Sequence, residues 1–280
     1  MVEIANESVQ LEPLDATKDI PDSWKSMEKA LSLMRDGTGE WANVVGLLAG
    51  MRTAGRRFKP WQYEYVIRAA GDAGAGYVVV DAARAVRRTG LELRDLRLVR
   101  EAFWACRTKA ARDGWKSEPT EKALAWAKQL AGLLDDGAHC GKLSLANGRD
   151  PRIQPDIIGV VLELAATRAL RHTGGKDADG KVLMYAERLI PNLEGAAEED
   201  IGQEVARNEY EMLRWLPVLN GLELAQKVLG EQMPAKETAM WKIAQLRTKL
   251  SAAKKVIEAA AVGGGRKKRR SMMWTEDVGL

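Results

Sequence analysis

The sequence is poor in the residues on which most metal and nucleophilic sites depend. Its 280 residues include two histidines, His139 and His172, and two cysteines, Cys106 and Cys140. Two separate cysteines cannot form a disulfide framework, and neither belongs to a CxxC pair, so a reducing compartment is expected. His139 and Cys140 are adjacent, but no further histidine or cysteine lies near them to complete a tetrahedral metal set. We therefore expect them to be an exposed loop pair.

Other motif-like stretches also lack the residues that a ligand site requires. No strand is predicted before the glycines at 71–76, and no Gly-Lys-Ser/Thr of a phosphate-binding loop follows them. The stretch 177–180 resembles the start of a calcium loop, but Arg188 stands where the bidentate glutamate is required. The sequence therefore predicts a non-catalytic protein with no cofactor, no metal and no small-molecule substrate.

Long hydrophobic runs are absent as well. No apolar run approaches the roughly 20 residues that cross a bilayer, which predicts no membrane span. The first 20 residues contain no arginine and are acidic, unlike a signal peptide or a mitochondrial transit peptide.

Aromatic and β-branched residues are few and scattered, whereas Ala, Leu, Arg, Glu and Lys dominate, and this bias favours helix. Apolar residues recur at helical spacing and indicate ten or so helices. No segment shows a sustained period of two. The predicted helices include 24–34, 40–53, one from residue 61, 77–88, 95–112, one after Thr120, 156–172, 182–189 ending at Pro191, 201–213, and two more up to residue 262.

Breaks in this periodicity divide the chain into five segments. Residues 1–22 form an extended N-terminal arm, and residues 23–134 form a first set of helices. Residues 135–155 form a long loop, either a lid or a divider between two halves. Residues 156–262 form a second helical half, and residues 263–280 form a basic flexible tail.

Charge is unevenly distributed although the net charge is only +4. Residues 52–116 contain 15 Lys/Arg and 7 Asp/Glu, whereas residues 194–204 contain five acids and no base. One basic block therefore lies between acidic segments, and it coincides with the most regular spacing in the chain.

That spacing is a 35-residue interval between Gly55 and Gly90, each of which closes an arginine-bearing helix. Over residues 40–105 the chain resembles the pentatricopeptide-repeat family, whose units are 35-residue helix-turn-helix pairs. The matching landmarks are Val44, Met51 and Gly55, then Tyr63, Val66, Ile67, Gly74, Val79, Val86 and Gly90. The resemblance implies an all-α repeat solenoid, in which stacked helix pairs share one core.

The resemblance also implies a role in organellar gene expression. It suggests a non-catalytic RNA-associated scaffold in the mitochondrial matrix, most plausibly a peripheral subunit of the mitochondrial ribosome or a ribosome-associated factor. Its partners would be ribosomal or other organellar RNA and the proteins of that complex. The alternative is a protein-only adaptor of tetratricopeptide type, such as a respiratory-complex assembly factor. Glu64 and Arg94 stand at the positions that read bases in the family, and neither is the usual residue, so base-specific readout is not expected.

Exposed cations at two successive helix ends are the best candidates for RNA contact, because Lys/Arg clusters suit phosphates. A solvated helix face is the alternative. Trp61 beside them either stacks on a base or covers the edge of the repeat. The stretch 266–270 either follows RNA or serves as a nuclear localisation signal. The candidate phosphate contacts, here named the arginine cluster, are Arg52, Arg56, Arg57, Lys59, Arg84, Arg87 and Arg88, and the basic tail comprises Arg266, Lys267, Lys268, Arg269 and Arg270.

Overall fold

The computed structural model describes residues 2–4, 7–9, 22–35, 39–141, 149–193 and 204–262. Within these residues all regular secondary structure is helical apart from two short strands, so the predicted all-α class is confirmed. The helices are α1 Ser23–Leu33, α2 Asn43–Thr53, α3 Pro60–Asp72, α4 Tyr77–Arg84, α5 Val86–Thr89, α6 Leu96–Arg112, α7 Ser117–Leu134, α8 Pro155–His172, α9 Lys181–Leu193, α10 Val205–Leu229 and α11 Lys236–Val262.

The two strands lie in the segment predicted as an extended arm. Strand β1, Val2–Ile4, pairs antiparallel with β2, Glu7–Val9, so that Val2 is opposite Val9. Three residues per strand are too few to produce a recognisable period of two, which is why the sequence pattern does not indicate them.

The helix predicted over 77–88 is interrupted at Ala85. Ala85 leaves helical geometry with ψ of 30°, which separates α4 from the single turn of α5. The Thr89 hydroxyl donates to the Ala82 carbonyl oxygen at 2.6 Å and fixes this turn against α4. The exposed arginines 84, 87 and 88 are therefore divided between two short helices.

Two helices continue through prolines at which the sequence pattern predicts an end or a break. Helix α9 continues through Pro191 to Leu193, and α10 continues through Pro217, which joins two segments predicted as separate helices. Proline removes one backbone hydrogen bond from a helix. Around Pro217 this loss is outweighed by burial, because Trp215, Leu216 and Val218 are fully buried. Pro119 lies in the first turn of α7, where no hydrogen bond is lost, and α7 begins earlier than predicted.

The helices pack on their neighbours in the chain and on the helix two or three places further on. Helix α3 packs on α6, α6 on α8, and α8 on α10; on the other layer α2 packs on α4 and α5, and α4 on α7. Helix pairs α6/α7, α8/α9 and α10/α11 also pack internally. One continuous hydrophobic core results, and it extends from Met27 to Ile257.

The crossing of α8 and α10 is one of the close contacts between helices. A Cβ atom added to Gly159 would lie 2.9 Å from the Val218 Cα, closer than real Cβ atoms approach backbone, and one added to Gly221 would lie 3.1 Å from the Gly159 carbonyl oxygen, which is a tight contact. The close approach of the two backbones therefore depends on glycine at position 159.

Both described ends of the 135–155 loop pack against the helices. Cys140 and Asp150 have no exposed surface, and the Arg152 guanidinium forms an ion pair with Asp150 at 2.7 Å. Residues 142–148 lie outside the described residues.

Candidate RNA-contact surface

All seven side chains of the arginine cluster are exposed. They lie at the end of α2, in the connection to α3, and at the ends of α4 and α5. Of these seven side chains, only Arg84 has a carboxylate within 4.0 Å among the described residues. This carboxylate is Asp81 at 3.8 Å, and both side chains are more than half exposed. Because exposed pairs contribute little, the cluster presents its positive charge to solvent.

The two parts of the arginine cluster meet at Gly90. A Cβ atom added to Gly90 would collide with Arg52 Nη1 and would lie 2.6 Å from Tyr63 Oη, so the end of α5 lies directly against side chains of α2 and α3. The Tyr63 hydroxyl donates to the Thr89 carbonyl oxygen at 2.9 Å. Burial raises the pKa of Tyr63 although the Arg52 charge opposes this effect, so the hydroxyl keeps its proton.

Gly55 and Gly90 share a positive φ. Their φ angles are +76° and +77°, in the left-handed region where glycine is least strained. Arg52 and Arg87 each stand three residues before one of these glycines. The two helix ends differ in detail, because Gly90 directly follows α5 whereas Ala54 stands between α2 and Gly55.

Trp61 lies beside this cluster and is 49% exposed. Its ring centroid lies 5.0 Å from that of Trp24 in an edge-to-face arrangement, and Trp24 makes similar contacts with Phe58 and Tyr65. Trp61 is thus held in place on one side while the rest of its indole faces solvent. This position is compatible with both roles expected for Trp61.

Other arginines of the basic block form ion pairs within the chain. Arg107 pairs with Glu163, where both side chains are buried, and Arg100 pairs with Asp156. Arg68 contacts Glu64 and lies 3.5 Å from Glu101. These arginines hold helices together, whereas six members of the arginine cluster have no carboxylate within 4.0 Å among the described residues.

The two positions that read bases in pentatricopeptide repeats are engaged in contacts within the chain. Glu64 accepts from the Arg68 guanidinium. Arg94 Nε donates to the His139 carbonyl oxygen at 2.9 Å. The absence of base-specific readout stays a prediction.

The expectation that His139 and Cys140 form an exposed pair is wrong. Their exposed fractions are 2% and 0%. His139 Nδ1 accepts from the Leu93 backbone N–H at 3.0 Å, and the Cys140 thiol donates to the Leu93 carbonyl oxygen at 2.8 Å. Burial lowers the pKa of His139 and raises that of Cys140 to about 11, so both side chains are neutral at pH 7. They fasten the segment after α7 to the segment before α6, a role for which the sequence carries no periodic signal.

Among the described residues, no group of three or more His, Cys, Asp or Glu side chains is arranged to hold a metal ion. No described helix combines the length and the low polarity that crossing a membrane requires. The basic tail, Arg266 to Arg270, lies outside the described residues, and its role stays a prediction.

Comparison with known proteins supplies the family. The family model for mitochondrial ribosomal protein mS27 matches residues 1–276. The small ribosomal subunit protein mS27 of Neurospora crassa is 29% identical over 209 residues, which are 68% of this chain and 51% of that protein. The chain thus matches about half the length of this curated relative. Because the family model matches almost every residue, the chain belongs to the mitochondrial ribosomal protein mS27 family.

Proposed function

We propose that the chain is a peripheral, non-catalytic subunit of the mitochondrial ribosome that docks on ribosomal RNA through its arginine cluster. Family membership confirms the predicted mitochondrial location and the predicted place in a mitochondrial ribosomal particle. It favours the ribosome over the alternative of a respiratory-complex assembly factor. The peripheral position, the matrix compartment and the RNA contact are the proposal.

The architecture that we propose is a repeat solenoid, in which helix pairs stack side by side. Two observations support it: successive first helices α3, α6, α8 and α10 pack on one another, and Gly55 and Gly90, 35 residues apart, both have positive φ close behind a helix. In such a stack each pair covers the apolar face of the next, so one core runs along its length. The resemblance to pentatricopeptide repeats is part of this proposal.

The proposed RNA contact depends mainly on one observation: some arginines of the chain are paired with carboxylates, and others are not. Arg100, Arg107 and Arg152 are neutralised by carboxylates of the same chain, whereas six members of the arginine cluster are exposed and have no such partner among the described residues. Unpaired arginines on a surface attract a polyanion, and contacts of this kind carry affinity without sequence information. We propose that ribosomal proteins dock elsewhere on the molecule, where charges are paired.

Salt-dependent binding to mitochondrial small-subunit ribosomal RNA transcribed in vitro tests the proposal. The test variant combines Arg56→Gln, Arg57→Gln and Arg87→Gln. The matched control combines Arg97→Gln, Lys122→Gln and Lys236→Gln, which remove three surface cations that are already paired with Asp95, Glu118 and Glu231. Both variants lose the same net charge.

We expect the test variant to bind more weakly. The slope of the logarithm of its binding constant against the logarithm of the salt concentration should become shallower by about 0.9 for each phosphate contact to duplex RNA that is removed. The control should lose much less of that slope. Sedimentation of the two variants in a mitochondrial lysate should show the same order of retention on ribosomal particles. Equal weakening in the test variant and the control would contradict the proposed surface.

A further inference from the structure

A polar cavity of about 260 Å³ lies between α8 and α10. Glu163, Thr167 and Arg171 line it from α8, and Asn220, Glu223 and Lys227 line it from α10. Trp115, in the turn between α6 and α7, closes one wall. The volume is far larger than the roughly 10–15 Å³ that a single water requires, so the cavity has the scale of a small ligand.

The floor of the cavity carries a buried polar atom without a partner. Asn220 is 5% exposed, and its Nδ2 donates to Glu163 Oε1 at 2.7 Å. Among the described residues its Oδ1 has no hydrogen-bond partner. A buried carbonyl oxygen is normally satisfied, so this one calls for an N–H or O–H donor inside the cavity.

The mouth of the cavity carries positive charge. Both acidic side chains in the lining have their own arginine: Glu163 is bound by Arg107, and Glu223 lies 2.6 Å from Arg247. Arg171 and Lys227 are exposed. Among the described residues, neither of them has a carboxylate within 4.0 Å. Two positive charges therefore remain, and they suit an anionic group.

We propose that this cavity receives one unpaired nucleotide of an RNA chain. The phosphate lies between Arg171 and Lys227, and the base enters far enough for an exocyclic amino group to donate to Asn220 Oδ1. Only an unpaired base has its Watson–Crick edge free for such a contact, which is how proteins read single-stranded RNA. A cytosine or adenine amino group supplies the missing donor. This inference rests on the proposed association with RNA, but it concerns residues outside the arginine cluster.

Titration of the full chain with CMP, UMP and inorganic phosphate, followed by calorimetry or ligand-observed NMR, tests the inference. One variant combines Arg171→Gln and Lys227→Gln, which removes the charge at the mouth without touching a buried pair. A second, Leu224→Trp, narrows the cavity from a partly buried position in its wall. The double change Arg97→Gln and Lys122→Gln serves as the control, because both cations lie outside the cavity lining and are already paired with Asp95 and Glu118.

We expect CMP to bind about tenfold more tightly than inorganic phosphate, because it adds a hydrogen bond and base contacts. Binding of CMP should weaken as the salt concentration rises, and the variant with Arg171→Gln and Lys227→Gln should lose most of this salt dependence. Leu224→Trp should abolish the preference for CMP, and the control should bind as the wild type does. Uracil has no exocyclic amino group, so UMP should bind more weakly than CMP.

Equal binding of CMP and phosphate, or an unchanged preference in Leu224→Trp, would overturn the inference. If no nucleotide binds to the wild type while changes in the arginine cluster still weaken binding to ribosomal RNA, this inference fails and the proposed function stands. If CMP binds as expected while those changes leave ribosomal RNA binding unaltered, the proposed surface fails and the cavity remains an RNA site. Binding of CMP that persists in the mouth variant would place the nucleotide elsewhere and overturn the inference.

Discussion

Arg107 and Glu163 form a bidentate ion pair in the middle of the molecule. Arg107 Nε lies 2.7 Å from Glu163 Oε2 and Nη2 lies 2.9 Å from Oε1, and the two side chains are 0% and 1% exposed. The guanidinium also lies over the Trp104 ring, 4.9 Å from its centroid. Since Asn220 donates to the same carboxylate, one network joins α6, α8 and α10.

Removing one partner of this pair should be far more costly than removing both. Arg107→Met leaves the Glu163 carboxylate buried and uncompensated, and we expect the free energy of unfolding to fall by about 3–5 kcal/mol. Arg107→Met combined with Glu163→Leu should recover at least half of that loss. Urea unfolding of the single and double variants measures the difference. Arg97→Met, in an exposed pair with Asp95, is the control and should cost less than about 1 kcal/mol. A double variant as unstable as the single one would show that the pair itself, rather than the orphaned charge, dominates.

Gly90 should tolerate a side chain less well than Gly55, although both have positive φ. The left-handed conformation costs an alanine about 1–2 kcal/mol at either position. At Gly90 the new methyl group also crowds the buried Tyr63 hydroxyl, which donates to Thr89, whereas at Gly55 nothing lies within 4 Å of it. Gly90→Ala should therefore lower the thermal unfolding midpoint further than Gly55→Ala. Equal shifts in the two variants would mean that the end of α5 does not press against Tyr63 of α3.

Stability should decline on mild acidification because His139 is buried in its neutral form. Burial lowers the pKa of this histidine in the folded chain, whereas the unfolded chain takes up the proton near pH 6.5. The unfolded state then binds more protons, so stability falls as the pH drops from about 6.5 toward the lowered folded pKa, by at most about 1.4 kcal/mol per pH unit.

Urea unfolding between pH 7.5 and pH 5 should show this decline, and His139→Gln should reduce it. Glutamine keeps an acceptor for the Leu93 N–H but cannot be protonated in this range. Identical pH profiles for the wild type and the variant would contradict the assignment.

Neither cysteine should react with a thiol reagent while the chain is folded. Burial raises the pKa of Cys140 to about 11 and raises that of Cys106 as well, so the thiolate is scarce at pH 8 and the reagent has no access. Titration with a chromogenic disulfide should be slow in buffer and complete in urea. An introduced surface thiol, Ala54→Cys, should react at once under the same conditions. Rapid reaction of either native thiol in buffer would show that its packing is open.

The sequence predicted features that depend on neighbouring residues and missed features that depend on distant ones. The helical periods and the glycine ends at Gly55 and Gly90 follow from local propensity, and the structure contains them. The continuation of α10 through Pro217 depends on side chains of α8 that bury it, and no local rule includes them. Likewise, His139 and Cys140 look exposed in a loop because their partner, Leu93, lies 46 or more residues earlier in the chain.

The arginine cluster shows the same division. The exposure of its members could be predicted, because they are charged residues at the ends of short helices and lie outside the apolar faces that pack on the core. The sequence could not predict which arginines are neutralised: Arg100 and Arg107 meet their carboxylates 56 residues away, across a helix interface.

The crossing of α8 and α10 has a mechanical consequence. Because Gly159 has no side chain where it faces Val218, the two helices approach too closely for one to slide along the other without a collision. We therefore expect α8 and α10 to move together as one rigid unit.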